Sequence, residues 1–171
     1  KGLHIFCPIC FNKEVNLISE VDRDGYPCNT VVCTKCEFVF NDSYMVNPIE
    51  YYENQYGKDS WGDPEKSFLK RTLPDSMSWK RFEFIKKKMG ENFSQIERVL
   101  EIGCGDGCNL LPYHLIGKNV VGCDFNDKFL AVGRKRGMKL IKTDLADIQG
   151  SLKFDLIMLI HTFSHVTSTV S

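Results

Sequence analysis

The 171-residue sequence has no hydrophobic run that approaches the roughly 20 residues a membrane-spanning helix needs. Its first residues, KGLH, do not open a signal peptide, and it lacks internal repeats and low-complexity segments. Its formal net charge is zero, and it contains 43% hydrophobic and 26% charged residues, a composition typical of globular proteins. We therefore expect a soluble, cytoplasmic protein with one sizeable core and a small additional module.

The sequence also lacks a segment with a strong excess of basic residues. Residues 1–60 contain five Lys or Arg against nine Asp or Glu, a net charge of −4. The only basic run, KKK at 86–88, is typical of the solvated face of a helix. Because an acidic module is a poor partner for a polyanion, this distribution argues against nucleic acid as the partner.

Eight cysteines are present, but their spacing is not that of a secreted disulfide scaffold. Four form two Cys-x-x-Cys pairs, Cys7 with Cys10 and Cys33 with Cys36. Two such pairs can direct four thiolates at one ion in the tetrahedral shell that zinc prefers, with no position left for water. The spacing predicts a structural zinc site that stabilises a module too small for its own core. Two redox-active pairs or an iron–sulfur site are the alternatives, and Cys28 is expected to lie outside the site.

The hydrophobic pattern divides the chain into three predicted segments. Residues 1–57 are short strands around the cysteine pairs, 58–95 are helical and linking, and 96–171 alternate between strands and helices. Strands are predicted at 15–21, 29–33, 37–40, 99–102, 120–123, 139–142 and 154–160, and helices at about 65–73, 76–89, from the glycines to 116, and 127–136. The alternation predicts an α/β fold, a Rossmann-like parallel sheet of about four strands with right-handed crossovers.

The strand at 99–102 runs into glycines at 103, 105 and 107 and then into a helix, the arrangement of a nucleotide-binding turn. The dinucleotide fingerprint Gly-x-Gly-x-x-Gly is not matched, because Cys108 stands at its third glycine position. Glu101 and Asp106 would repel a pyrophosphate but attract a cation. The loop therefore predicts a cationic nucleoside as ligand. S-adenosylmethionine, with a sulfonium, an ammonium and no phosphate, is such a compound.

Two further carboxylates stand at the ends of predicted strands. Asp124 ends the second strand of the α/β segment, where a carboxylate can accept both ribose hydroxyls. Asp144 ends the third strand, where it could accept from the exocyclic amine of adenine. Each could instead cap a helix, but their position at successive strand ends favours the cofactor interpretation.

Several stretches resemble motifs of class I S-adenosylmethionine-dependent methyltransferases: LEIGCGDG at 100–107, VVGCDFN at 120–126, KTDL at 142–145 and FDLIMLIHTFSHV at 154–166. CPIC, VCTKCEFVF and NPIEYYENQYG at 47–57 resemble zinc-ribbon-bearing methyltransferases of sugar and polysaccharide biosynthesis, which include C-methyltransferases of nucleotide-linked deoxysugars. The resemblance implies an enzyme that methylates a small molecule, an activated sugar or glycan precursor. Since the sheet of that family has seven strands, we expect these residues to belong to a longer protein.

The resemblance also implies a role for individual residues in cofactor binding. Glu101 would lie near the methionine end, Asp124 would bind ribose, and Phe125 would lie against the adenine. The remaining residues would line the loop or read the adenine edge: Gly103, Cys104, Gly105, Gly107, Asp144 and Leu145.

Candidates for the chemistry follow the fourth strand of the α/β segment, at the carboxyl edge where open sheets bind ligands. His165 is the predicted general base, and His161 a contact to the cofactor or the substrate. Tyr56, in a tyrosine cluster after the cysteine pairs, would close over the sugar. Packing roles are the alternatives for all three residues.

Two other functions stay open at the level of the sequence. One is a ribosomal or transfer RNA methyltransferase with an N-terminal zinc module. The other is a non-catalytic protein that joins a zinc-ribbon interaction module to half of a nucleoside-binding domain. The favoured partner is a small, sugar-like molecule, and the sequence does not define an oligomeric state.

Overall fold

The computed structural model describes residues 2–3, 6–22, 25–44, 62–143 and 153–162. They fall into two units, an N-terminal unit with the described residues up to 44 and an α/β unit with those from 62 onward. The predicted segment boundaries at 57/58 and 95/96 stay predictions. Within the described ranges, no helix has both the length and the apolar content that crossing a bilayer requires.

The N-terminal unit consists of short antiparallel strands. A two-stranded sheet pairs β1 (Gly2–Leu3) with β5 (Ser43–Tyr44), and a three-stranded sheet joins β2 (Val15–Val21), β3 (Pro27–Cys33) and β4 (Val39–Asn41) in that order. Among the described residues of this unit, only Cys7, Val31 and Cys33 are buried. So small an apolar core among the described residues cannot stabilise a fold by itself. A metal ion bound by the cysteines would supply the missing stability.

The α/β unit contains four α-helices, one 3-10 helix and four parallel strands among its described residues. In chain order they are α1 (Pro64–Arg71), α2 (Met77–Met89), a 3-10 helix (Gly90–Gln95), β6 (Arg98–Ile102), α3 (Leu111–Leu115), β7 (Asn119–Asp124), α4 (Asp127–Arg134), β8 (Lys139–Lys142) and β9 (Leu156–Met158). The sheet order is β8-β7-β6-β9, and all neighbours are parallel. This confirms the predicted α/β class with a four-stranded Rossmann-like parallel sheet.

The strand order creates a crevice at one edge of this sheet. The chain moves outward from β6 through β7 to β8 and then returns to pair β9 with the other side of β6. The connection after β6 therefore leads to one side of that strand, whereas β9 lies on its other side. In open parallel sheets this reversal, at the carboxyl ends of the strands, is where ligands bind.

Helices α1 and α2 pack into the core of the α/β unit. Phe82 of α2 is 4% exposed and meets Tyr113 edge-on at a ring-centroid distance of 4.9 Å and Phe93 at 5.6 Å. Phe68 of α1 is 1% exposed, and the guanidinium of Arg136 lies over its ring at 4.1 Å. The two helices are thus held against the sheet by buried aromatic side chains, each worth several kcal/mol.

Two predicted elements differ from the observed ones. The helix expected directly after the glycines is confined to Leu111–Leu115, because residues 103, 105 and 107 all have positive φ and form a turn first. The strand predicted at 154–160 covers only Leu156–Met158 and, within the described part of the chain, pairs with β6 alone. Its Ile157 is 53% exposed, so the described residues do not cover both faces of the strand at this position.

Candidate functional site

The four cysteines of the two pairs converge at one point of the N-terminal unit. The sulfur atoms of Cys7, Cys10, Cys33 and Cys36 all lie within 4.8 Å of one another. The Cys7–Cys36 and Cys10–Cys33 sulfur pairs are 3.6 and 3.5 Å apart, respectively. Four thiolates about 2.3 Å from a tetrahedral zinc ion would be about 3.8 Å apart, so the four-cysteine cluster fits such an ion closely. Cys28 lies outside the cluster, as expected.

The backbone around each cysteine pair shows why the sulfurs converge. Phe11 and Glu37 directly follow the two pairs, and both have φ of 59°. Their N–H groups donate to the carbonyl oxygens of Cys7 and Cys33 at 2.9 and 3.0 Å, which closes each pair into a tight turn. The N–H of Lys35 also donates to the Cys33 sulfur at 3.4 Å. Such N–H···S contacts stabilise a thiolate, as metal binding requires.

The glycine loop, residues 103–107, lies at the carboxyl end of β6. Gly103, Gly105 and Gly107 have φ of +68°, +54° and +79°, values that side chains with a Cβ rarely adopt. A Cβ at Gly103 would overlap the side chain of Thr162, which brings the connection after β9 against the loop. Among the described residues, a Cβ at Gly105 would meet nothing within 4 Å. The backbone of Gly105 therefore faces open space at the crevice, where a ligand can approach it closely.

Glu101 supplies a buried acid beside this loop. It pairs with Gly122 of β7 and Met158 of β9 in the sheet register, and it is 1% exposed. Its Oε1 accepts a hydrogen bond of 2.7 Å from Nδ2 of Asn109, whereas its Oε2 has no partner among the described residues. Burial raises the pKa of Glu101 to about 8. An orphaned buried carboxylate oxygen is costly, and a cationic ligand would remove that cost.

Asp124 connects the end of β7 to the glycine loop. Its Oδ2 accepts from the N–H of Gly105 and its Oδ1 from the N–H of Asn126, both at 2.9 Å. Each carboxylate oxygen has a second lone pair, so both can still accept a ribose hydroxyl. The neighbouring Phe125 is half-buried. Asp124 thus lies against the glycine loop, and its role in binding ribose stays a prediction.

Asp106 has a different partner from the one expected. Its carboxylate forms an ion pair with the guanidinium of Arg71, from α1, and accepts from the N–H of Cys108 at 3.1 Å. Asp106 is fully buried, and the Arg71 side chain is 30% exposed. The cation that this acid attracts is therefore a side chain of the protein. Asp106 fixes the loop to α1.

Cys104 is oriented into the core. It is 4% exposed and belongs to the main hydrophobic cluster, and its sulfur would be 2.6 Å from a Cβ placed on Gly122. Burial raises the pKa of its thiol well above the usual range. A ligand in the loop could meet only the backbone of this residue, so the predicted contact does not involve its side chain.

His161 lies in the connection after β9 and has φ of 57°. Its Nε2 is 3.1 Å from Nη2 of Arg81, from α2. Nη1 of Arg81 donates to Oδ1 of Asn109 at 3.1 Å, and Asn109 in turn donates to Glu101. One chain of contacts thus joins His161 to the buried acid across the crevice. The other predicted site residues, Tyr56, Asp144, Leu145 and His165, lie outside the described residues.

Arg81 and Asn109 were not among the sequence-predicted site residues. Arg81 is one of several basic residues on a helix that was predicted to have a linking role. Nothing in the sequence therefore indicated that it contacts the site. Asn109 is a polar residue in the otherwise apolar stretch CNLL, which is a weak indication of a buried polar contact.

The sequence of the α/β unit was compared with models of known protein families. Residues 99–170 match a family model described as a methyltransferase domain. This agrees with the predicted methyltransferase class. No curated protein matches the sequence.

Several solved structures are similar to the chain. An S-adenosylmethionine-bound amino pentose methyltransferase from Micromonospora echinaspora, involved in calicheamicin biosynthesis, is 20% identical, with 50% of this chain and 37% of that chain covered and a TM-score of 0.44. An S-adenosylmethionine-dependent methyltransferase from Clostridium acetobutylicum is 24% identical, with 56% and 42% covered and a TM-score of 0.43. A glycopeptide N-methyltransferase is 20% identical, with 47% and 40% covered and a TM-score of 0.36. The chain spans less than half the length of each.

Proposed function

We propose that the protein is an S-adenosylmethionine-dependent methyltransferase whose cofactor is held by the glycine loop and Glu101. The observation that carries this proposal is the buried carboxylate of Glu101, which has one oxygen without a partner in the described structure, beside the crevice of a parallel sheet. Burial keeps this acid protonated at neutral pH in the ligand-free protein, and an α-ammonium group beside it would lower its pKa and pair with the ionised carboxylate. A phosphate at the same place would be repelled.

The residues around the loop support binding and orientation of a nucleoside. The open face of Gly105 admits close approach, and Asp124 keeps lone pairs for ribose hydroxyls. Phe125, Asp144 and Leu145 are proposed to contact the adenine. S-adenosylmethionine, when bound, supplies an activated methyl group on its sulfonium. Much of the catalysis is then positioning of the acceptor.

Removal of a proton from the acceptor is assigned to the segment after β9. His165 stays the proposed general base, with His161 as a contact to cofactor or substrate and Tyr56 as a residue that closes over the acceptor. An acceptor oxygen or carbon must lose a proton, so its methylation needs such a base.

We further propose that the four-cysteine cluster binds one structural zinc ion. Four thiolates fill a tetrahedral shell and leave no open position, so the ion would stabilise the N-terminal unit and take no part in catalysis. The small buried core of this unit supports that assignment. The spacing of the cysteines, which is not that of a disulfide scaffold, also favours a reducing, cytoplasmic location.

The proposed acceptor is a small molecule, an activated sugar or a glycan precursor. This proposal rests on the sequence resemblance at the cysteine pairs and at 47–57, together with the acidic residues 1–60. A net charge of −4 there opposes binding to RNA, so an RNA methyltransferase is the less favoured assignment.

Calorimetric titration with S-adenosylhomocysteine, the demethylated product, tests the cofactor proposal. The wild-type protein should bind it, and Glu101→Gln should bind at least about tenfold more weakly because a charge-assisted hydrogen bond is lost. Glu97→Gln is the matched control, since Glu97 is 66% exposed and should leave affinity unchanged. Absence of heat and of thermal stabilisation in the wild type, or tighter binding of a nucleoside triphosphate, would refute the proposal. Binding without methyl transfer to any sugar nucleotide would favour a non-catalytic role.

A further inference from the structure

The side-chain amide of Asn109 separates two groups of opposite charge. Its Nδ2 donates to the carboxylate of Glu101 at 2.7 Å, and its Oδ1 accepts from the guanidinium of Arg81 at 3.1 Å. An α-amino acid carries its ammonium and carboxylate on a single carbon, with a similarly short separation. One side-chain amide therefore links a carboxylate and a guanidinium, the two kinds of group that can pair with the opposite charges of one zwitterion.

The other branch of the Arg81 guanidinium contacts His161. Arginine can only donate, so Nε2 of His161 must accept across the 3.1 Å contact. A neutral imidazole whose Nε2 accepts carries its proton on Nδ1. While the contact lasts, the Nε2 lone pair is occupied and cannot take a proton from another molecule.

His161 is held in a backbone conformation that few non-glycine residues adopt. Its φ of 57° lies in the left-handed region, and its side chain is exposed at the crevice. Such conformations are unfavourable for a residue with a side chain and persist where the surroundings impose them. The hydrogen bond to Arg81 is the described contact that fixes the ring in this position.

We propose that Arg81 is a positioning residue shared between two partners: it holds Nε2 of His161 in the ligand-free protein and turns to the carboxylate of an α-amino-acid ligand when one binds. The inference rests on the proposed function, because it places the methionine end of the cofactor between Glu101 and Arg81. The exchange breaks one hydrogen bond and forms another, with no change in covalent bonding. It frees the Nε2 lone pair only once the site is filled.

This arrangement orders the events at the site. With Arg81 on the ligand carboxylate, Nε2 of His161 can accept from an acceptor hydroxyl or from water. Before that, Nε2 of His161 is not available to the acceptor. A guanidinium suits this role because its planar set of donors can serve two partners, whereas the ammonium of a lysine is a single compact charge.

Nuclear magnetic resonance of the imidazole nitrogens in the 171-residue protein tests the proposal, with assignment by single His→Gln variants. The ligand-free wild type should show His161 as the Nδ1–H tautomer. Arg81→Met should convert it to the Nε2–H form that an unconstrained histidine favours, and Lys80→Met, an exposed neighbour on the same helix, should not. A wild type that already shows the Nε2–H form would overturn the inference.

Two ligands then distinguish a failure of the Arg81 exchange from a failure of the proposed cofactor site. S-adenosylhomocysteine, which carries the amino-acid group, should convert His161 out of the Nδ1–H form. 5′-Methylthioadenosine, which lacks that group, should bind but leave the tautomer unchanged. If both bind and neither changes His161, the exchange at Arg81 is wrong and the nucleoside site stands. If neither binds, both proposals fail.

Affinities give an independent measurement on the same variants. Arg81→Met should weaken S-adenosylhomocysteine about tenfold or more and leave 5′-methylthioadenosine unaffected, since only the former has a carboxylate. Arg81→Lys should recover part of that affinity, because it keeps a positive charge, but should not restore the Nδ1–H tautomer. Equal losses for both ligands would show that Arg81 acts only on the fold.

Discussion

Replacing Glu101 by glutamine should stabilise the ligand-free protein at alkaline pH. Burial raises the pKa of Glu101 to about 8 from the ordinary value of 4.5, against the opposing effect of the Asn109 hydrogen bond. The unfolded chain releases this proton near pH 4.5, whereas the native protein keeps it until pH 8. The contribution of this group to the free energy of unfolding is therefore fully present below pH 4.5. It is lost as the pH rises through 8, by about 5 kcal/mol in total.

Urea unfolding of wild type and Glu101→Gln between about pH 5 and pH 9 measures this loss. The difference between the two proteins should grow with pH in favour of the variant, because glutamine does not ionise. Other titrating groups contribute equally to both proteins and cancel in the difference. Glu97→Gln, which changes an exposed acid just before the same strand, should follow the wild type. Parallel curves for wild type and Glu101→Gln would show that the buried carboxylate is ionised throughout and would refute this reasoning.

Three further changes probe other parts of the structure. Gly105→Ala and Gly117→Ala both force an alanine to positive φ in open space, so each should lower the free energy of unfolding by about 1–2 kcal/mol. Only Gly105→Ala should abolish binding of S-adenosylhomocysteine. If both variants bind it equally well, the loop is not its site. Cys36→Ser should remove the zinc measured by atomic absorption, while Cys28→Ser should retain one ion per chain; zinc retained in both would contradict the cluster as its site. Hydrogen bonds from two backbone N–H groups at the start of β6 lower the pKa of Asp155, so its stabilising effect is present at neutral pH and is lost as the pH falls through its native value. Asp155→Asn should therefore flatten the acid limb of the unfolding curve, and an unchanged limb would count against this contribution.

The regular elements could be predicted from the sequence because local pattern determines them. The strands at Val15–Val21 and Lys139–Lys142 have the predicted bounds, and α2 ends at Met89 as expected. Alternating apolar residues, turn glycines and helix caps act within a few positions of one another, so a single sequence contains them. The parallel sheet follows from the alternation of strands and helices.

The partners within the site could not be predicted, because they depend on contacts between distant segments. Asp106 meets Arg71, 35 residues earlier, and His161 meets Arg81, 80 residues earlier. Nothing in the local pattern of α1 and α2 distinguishes these arginines from solvated ones. The sequence predicted an acid near the glycine loop but not which acid the protein itself neutralises. Glu101 is left with the unpartnered oxygen.

A crystal structure of the complex with S-adenosylhomocysteine tests the central claim most directly. The account predicts the adenosine over Gly105, its ribose hydroxyls at Asp124, and its ammonium within hydrogen-bonding distance of Glu101 Oε2. A ligand bound elsewhere on the protein, or a phosphate ion held by the backbone N–H groups of the loop, would contradict it.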